Sequence, residues 1–103
     1  MNVEQLVKDQ KGTIVDVRTY GEFIGGNVSG SVNIPLDEVP YRVEQLREME
    51  QPLILCCVSG NRSGMATDFL RAQGIECVNG GAWTSVNYYQ SLIQNVVNER
   101  NTF

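Results

Sequence analysis

Cys57, Gly60, Arg62 and Ser63 stand together directly after the apolar run Leu53-Ile54-Leu55-Cys56. A strand ending in cysteine, a short loop with glycine, and a helix opened by arginine and serine are the parts of an anion-binding cup with a thiol at its base. Loop N–H groups point inward, the helix N-terminus adds positive potential, and arginine adds a full charge. A thiol placed there has a depressed pKa and is nucleophilic near neutral pH. The N–H groups of Val58, Ser59, Gly60, Asn61 and Arg62 are the expected anion donors, and Gly60 lets the backbone close without a side chain. A cation at a helix N-terminus opposes the dipole unless it meets an anion. Arg62 is therefore expected to contact one and to help ionise Cys57.

Cys56 directly precedes Cys57, and strand alternation lets only one of two neighbours face the cup. The third cysteine, Cys77, lies between Glu76 and Val78 and is expected in the core. The chain has no histidine. That excludes Ser-His-Asp triads, Cys-His dyads and His-ligated metals. Activation of a cysteine then falls to dipoles and arginine, and no metal or organic cofactor is expected. An odd number of cysteines, two of them adjacent, does not form a secreted disulfide framework. Met1-Asn-Val-Glu-Gln does not read as a signal peptide, so the expected compartment is the reducing cytoplasm.

The elements that must position these residues alternate. Val3–Gln10 reads as a helix with Val3, Leu6 and Val7 on one face, ended by Gly12. Thr13–Val17 is a β-branched run and reads as a buried strand. Thr19 can cap a short helix through Phe23 and Ile24, closed by Gly25-Gly26. Ser31–Ile34 reads as a strand stopped by Pro35. Pro40 suits a first helical turn, with a helix over Tyr41–Met49. The Leu53–Cys57 strand follows. A helix over Arg62–Gln73 should turn Met65, Ala66, Phe69 and Leu70 to one face. Ile75–Val78 reads as a last strand. A terminal helix from Ala82 should bury Val86, Tyr89, Leu92, Ile93, Val96 and Val97, while Tyr88 faces out and Thr102-Phe103 frays. Alternating strands and helices predict an α/β domain over residues 1–103, its parallel sheet covered on both faces. Ligands in such sheets sit beyond the carboxyl ends of the strands, where Cys57 is delivered.

Hydrophobic residues make up 42% and charged residues 19% of the 103, which predicts a globular chain. The net charge is −4, with no Lys/Arg cluster, so no nucleic-acid partner is expected. No apolar run approaches a membrane span.

Cys57-Val58-Ser59-Gly60-Asn61-Arg62-Ser63 resembles the active-site loop of the rhodanese (sulfurtransferase) family, Cys-x-x-Gly-x-Arg often followed by Ser. Three further segments are similar to the family in order: Ile14-Val15-Asp16-Val17-Arg18 to its first strand and Asp-x-Arg turn, Gly26–Leu36 to its Gly-His-Ile-x-Gly-Ala-x-Asn-Ile-Pro segment, and Gly80-Gly81 with Trp83 to its late Gly-Gly turn. Asn27 stands where the family usually has histidine, and Val58 where thiosulfate-using members often have arginine. The resemblance implies a rhodanese-like parallel sheet of four to five strands. It also implies sulfur transfer through a Cys57 persulfide, from thiosulfate or a small persulfide to a thiol or protein acceptor. Asp16 and Arg18 are then expected to form a structural pair near the site, and Trp83 to pack. Two other readings stay open. Cys56 and Arg62 have the Cys-x5-Arg spacing of phosphatase loops built on the same fold, and a rhodanese-like module can also serve as a non-catalytic docking domain.

Overall fold

A computed structural model describes the backbone of residues 1–100 and the side chains of residues 1–93. The side chains of Val96 and Val97, and Thr102 and Phe103, lie outside the described residues. Four strands, β1 (Thr13–Asp16), β2 (Val32–Asn33), β3 (Leu53–Cys57) and β4 (Cys77–Ala82), form one parallel sheet in the order β2-β1-β3-β4. From β1 the chain crosses outward to β2, and from β3 it crosses the opposite way to β4. The crevice between the carboxyl ends of β1 and β3 is thus the topological switch point, where ligands of open α/β sheets bind. Cys57 ends β3 at that crevice.

The helices are α1 (Val3–Lys8), α2 (Tyr20–Ile24), α3 (Val43–Arg47), α4 (Asn61–Ala72) and α5 (Trp83–Arg100), with a 3-10 helix over Leu36–Tyr41. Local chemistry starts the first two. Asn2 Oδ1 accepts from the Gln5 amide at 3.1 Å. Thr19 and Glu22 cap each other's backbone reciprocally. Val7, Val28, Ile54, Cys56 and Val86 form an apolar cluster on one face of the sheet. Leu53, Leu55, Cys57, Ala66, Leu70 and Ile75 belong to the larger cluster on the other. Every residue of β3 is buried, and each of its Leu and Ile side chains contributes about 1.5–3 kcal/mol.

Three local expectations differ from the structure. The helix expected over Tyr41–Met49 shortens to α3, because Tyr41 still belongs to the 3-10 helix over Leu36–Tyr41. The chain makes tighter turns there, with the Arg42 amide donating to Val39 O at 3.1 Å. Arg42 itself leaves helical geometry at φ −123° before α3 begins. The last strand starts later and runs on to Ala82. Ile75 still donates to Leu70 O of α4, at 3.1 Å. Gly80 lets β4 continue with one extra residue opposite Leu55 and Cys56. A Cβ there would lie 2.9 Å from Ile54 Cγ2 and 3.0 Å from Leu55 O. Met65 is 63% exposed instead of facing the core, where α4 turns Ser63, Ala66, Thr67 and Leu70.

At the end of β1 a buried ion pair ties the loops together. Arg18 Nη2 donates to Asp16 Oδ2 at 2.8 Å, and Arg18 Nε reaches both carboxylate oxygens at 3.0 Å. The same guanidinium donates to Gly26 O at 2.7 Å and lies 4.5 Å from the Trp83 ring centroid. Asn33 Nδ2 closes the turn on Asp16 O and Arg18 O. Asp16→Ala strands a buried cation and should cost about 3–5 kcal/mol of unfolding free energy. Glu4→Ala, which breaks the exposed Lys8–Glu4 pair, should cost less than about 1 kcal/mol. Urea denaturation of both variants checks the contrast, and equal losses would overturn it.

Candidate active site

The Cys57 sulfur sits against the first turn of α4. Gly60 N donates to Sγ at 3.1 Å and Ser63 N at 3.4 Å, and the Ser63 hydroxyl lies 3.3 Å away. Gly60 caps α4 at φ 97°, a left-handed conformation that disfavours side chains. It offers no side-chain cap, so the sulfur takes that place and accepts an amide the helix leaves unpaired. Burial pushes the Cys57 thiol up. The Ser63 hydroxyl and the amides of Ser63, Gly60 and Ser59 outweigh it and hold the thiol below its ordinary value. Cys57 is only 1% exposed. A reacting atom must therefore enter the loop to meet the sulfur.

Cys56 points to the other face, 0% exposed. Burial first, and then the Asp16 carboxylate, push its thiol up to about 12, so it is neutral at pH 7. Cys77 is buried in the larger cluster with Sγ 3.6 Å from Thr67 O, and burial raises its thiol as well.

Val58, Ser59 and Asn61 are exposed, while Gly60 is half-buried. Of the loop amides expected to hold an anion, that of Gly60 donates to Sγ. The Ser63 amide and hydroxyl join it, although Ser63 was read only as a helix opener. Its place three residues after the Gly60 cap, where a side chain turns back toward the helix start, is the signal that could have found it. Arg62 turns to Glu22 of α2: Nη1 donates to Oε1 at 2.7 Å and Nη2 to Oε2 at 3.0 Å. The Arg62 guanidinium, with the Thr19 amide second, holds the Glu22 carboxyl down at about 2. Thr19 marked a helix start, but nothing near Glu22 carried a sign of a partner forty residues on. Asn79 of β4 is the other residue the sequence did not reveal. Its Oδ1 accepts from the Ser63 hydroxyl at 2.7 Å and its Nδ2 donates to Gly60 O at 3.1 Å.

Among the described residues no cluster of three or more Cys, Asp or Glu could hold a metal, and no helix is long and apolar enough to cross a membrane. A cavity of about 530 Å³ lies at the start of β1, lined by Thr13, Ile14, Gly30, Asn87 and Gln90. It lies at the opposite edge of the sheet from the thiol, which stands at the strands' carboxyl ends.

The parallel sheet thus sets a cysteine at its switch point, wrapped by amides at a helix N-terminus. The chain belongs to the rhodanese-like domain family, whose model matches residues 2–92. It is 30% identical over 95 residues to the thiosulfate sulfurtransferase GlpE of Shewanella oneidensis, covering 84% of this chain and 93% of that protein. It is 36% identical over 75 residues to the putative sulfur carrier protein YrkF of Bacillus subtilis, covering 73% of this chain and 40% of that protein. A crystal structure of a rhodanese-related protein from Thermoplasma volcanium superposes with a TM-score of 0.68 at 33% identity, covering 79% of this chain and 83% of that one. The chain spans between 40% and 51% of the length of three curated relatives, YrkF among them. The four-stranded sheet falls within the four to five strands the resemblance implied.

Glu22 carries its own pH test. Its folded pKa, about 2, lies below the ordinary 4.5. The stability from its ionised form is therefore complete above about pH 4.5 and is lost as pH falls toward 2. Glu22→Gln should be less stable than the parent at pH 7, with the gap closing across that window in urea denaturation. A gap that stays constant down to pH 2 would show that the ion pair does not set it.

Proposed function

We propose that the chain is a sulfurtransferase that carries sulfane sulfur as a persulfide on Cys57. The observation that carries this reading is the Cys57 sulfur at the N-terminus of α4, accepting two backbone N–H bonds with its pKa lowered. Such a cup stabilises a sulfur anion without a full positive charge in contact with it. The names of the relatives, a thiosulfate sulfurtransferase and a putative sulfur carrier, agree with that chemistry.

The Cys57 thiolate attacks the sulfane sulfur of the donor. A bond forms between Sγ and that sulfur while the donor's sulfur–sulfur bond breaks. Its electron pair leaves with sulfite from thiosulfate, or with a thiolate from a small persulfide. Cys57 is left as an anionic persulfide held by the loop amides. A thiol, a protein or, in the test tube, cyanide then takes the outer sulfur, and Cys57 leaves as thiolate. Sulfane sulfur is a single divalent atom, slim enough for a loop that leaves Cys57 1% exposed. Val58, Ser59, Gly60 and Asn61 form the donor-facing loop, and Arg62 orients an anionic donor in competition with Glu22. The unit that does this is the one rhodanese-like domain. All three thiols are free, which suits work in the cytoplasm.

Two observations weigh against the phosphatase reading. The Cys56 thiol at about 12 is not a nucleophile at neutral pH. Glu22, the acid nearest Arg62, is ionised there and has no proton for a leaving group.

Thiosulfate should add the mass of one sulfur atom to the protein, removable by cyanide or dithiothreitol and read by intact-mass spectrometry. Cys57→Ser should abolish the gain and Cys56→Ser should keep it. Loading that survives Cys57→Ser and vanishes in Cys56→Ser would move the chemistry to the other thiol, and no loading from any donor would leave a docking module.

Thiosulfate should also be the weaker donor, because it brings two negative charges to a loop whose arginine is already paired with Glu22. The side chain of Val58 is 52% exposed beside the cup. Val58→Arg should raise kcat/KM for thiosulfate by about three- to tenfold, as expected of a contact contributing ~1 kcal/mol. A small neutral persulfide should gain less, and the difference should shrink as salt rises. Equal gains for both donors would point to packing instead of charge.

A further inference from the structure

The Ser63 hydroxyl has one proton and two neighbours that can take it: Asn79 Oδ1 at 2.7 Å and Cys57 Sγ at 3.3 Å. The Asn79 amide cannot turn over to relieve the contest. Its Nδ2 donates to Gly60 O at 3.1 Å, and its Oδ1 accepts from Gly81 N at 3.0 Å. A flip would set carbonyl against carbonyl and N–H against N–H. Oδ1 therefore faces Ser63, and having no proton of its own it must accept. With the hydroxyl proton spent on Asn79, the only proton left for the Ser63–Cys57 contact is the thiol's. In this arrangement the S–H donates to Ser63 Oγ, and the lowering that the hydroxyl gives the Cys57 thiol belongs to the state in which the hydroxyl has turned to the sulfur. To stabilise the thiolate it must rotate away from Asn79 and donate to sulfur.

We propose that Asn79 is a positioning residue that holds the Ser63 hydroxyl away from Cys57, so that ionisation of the thiol is coupled to rotation of that one O–H bond. The inference rests on Cys57 being the sulfur-carrying thiol. Attack on a donor requires the thiolate, and transfer to an acceptor returns it. The direction of the Ser63 proton then sets how much of the protein is ready to attack at a given pH. Asn79 favours the protonated form of the resting thiol, which is less open to adventitious oxidation, while the Gly60 and Ser63 amides stay in place for either state. Removing Asn79 frees the hydroxyl to donate to sulfur at no loss. A purely structural role has the opposite sign, since a loosened Gly60 would withdraw an amide and raise the Cys57 pKa.

The other charged and titratable groups on the elements around Cys57 are the same in every variant of the test. They are Cys56 beside it on β3, Asp16 and Arg18 at the end of β1, Tyr20 of α2, the Glu22–Arg62 pair between α2 and α4, Asp68 and Arg71 farther along α4, and Cys77 beside Leu53 at the far end of β4. The test is the pH dependence of alkylation by iodoacetamide in the full chain, the Cys57 signal being the one lost in Cys57→Ser. Asn79→Ala should lower the Cys57 pKa by about half a unit to one unit, the size of one competing hydrogen bond. The same substitution in a Ser63→Ala background should shift it by less than about 0.2 unit, because the proton in contention is gone. A rise in the single variant, or equal shifts in both backgrounds, overturns the proposal. If Asn79→Ala fails to fold, Ser63→Ala alone decides. With the proton committed to Asn79, removal of the hydroxyl should move the pKa by less than about half a unit, and a rise of about one unit or more overturns the proposal. Thiosulfate loading of the parent protein, measured alongside, reads the sulfur-carrier function separately. Absent loading with the expected shift removes that function and keeps the hydrogen-bond coupling, and loading without the shift does the reverse.

Discussion

Side chains of β3 alternate between two buried faces, and everything at the site follows from which thiol falls on which face. Leu53, Leu55 and Cys57 enter the cluster that α4 covers, while Ile54 and Cys56 enter the one shared with α1 and α5. A slip of one residue would exchange the two cysteines. The slip is prevented on both sides of the strand. β1 pairs with β3 from Thr13 opposite Leu53 to Asp16 opposite Cys56, and β4 accommodates its extra residue only where Gly80 fits against Ile54 and Leu55. Cys57 thus meets the first turn of α4, and Cys56 meets apolar side chains that keep it protonated. Two adjacent residues of the same type acquire opposite chemistry from geometry alone.

The full charges near the cup are arranged so that none is spent on the thiol. Arg18 is buried and satisfied by Asp16, Gly26 O and the face of Trp83. Its work is to bind the end of β1 to the loop that follows α2. Arg62 is about one-third exposed and paired with Glu22. Arg18 Nη1 also reaches Glu22 O at 3.3 Å, so α2 is held by both arginines, through its backbone and its side chain. The acidity of Cys57 then comes from dipoles at contact distance, whose effect survives salt better than that of an exposed charge. A cup of this kind holds a monoanionic sulfur well and gives a dianion little extra.

The thiol loop was legible in the sequence because its parts are consecutive. A strand, a glycine turn and a helix start can be read from neighbouring residues, and the order of the other segments added the fold. The partners supplied from elsewhere were not legible. Glu22 and Asn79 reach the cup only through the crossing of α2 and the bulge of β4, and neither has a local signature beyond a cap and a glycine pair. Arg62 was correctly placed at the helix start, but the anion that answers it in this structure belongs to the protein. Helix faces were read less well than strands. Met65 has the spacing of a core residue, yet α4 turns toward the sheet the small residues Ser63, Ala66 and Thr67, because the first turn must approach the sulfur closely. The tight turns around Pro40 could be anticipated as a break, but not the 3-10 geometry that resolves it.

The sulfur-carrying role proposed for Cys57 would make two demands on one atom. In loading, Cys57 Sγ attacks, and nucleophilicity at a fixed degree of ionisation falls as the pKa falls. In unloading, the same atom leaves, and a lower pKa leaves faster. A thiol pushed far down would attack poorly, and one left high would be mostly protonated and would hold its outer sulfur too firmly. Burial of Cys57 raises its pKa while a hydroxyl and three amides lower it, and the net direction is down. The Glu22–Arg62 pair limits that lowering by engaging the cation with a carboxylate instead of the sulfur. Competition between Asn79 and Cys57 for a single proton acts in the same direction. Opposed effects on one thiol, burial against amide and hydroxyl contacts, are what the proposed role asks for, since a carrier must both accept and surrender the same atom.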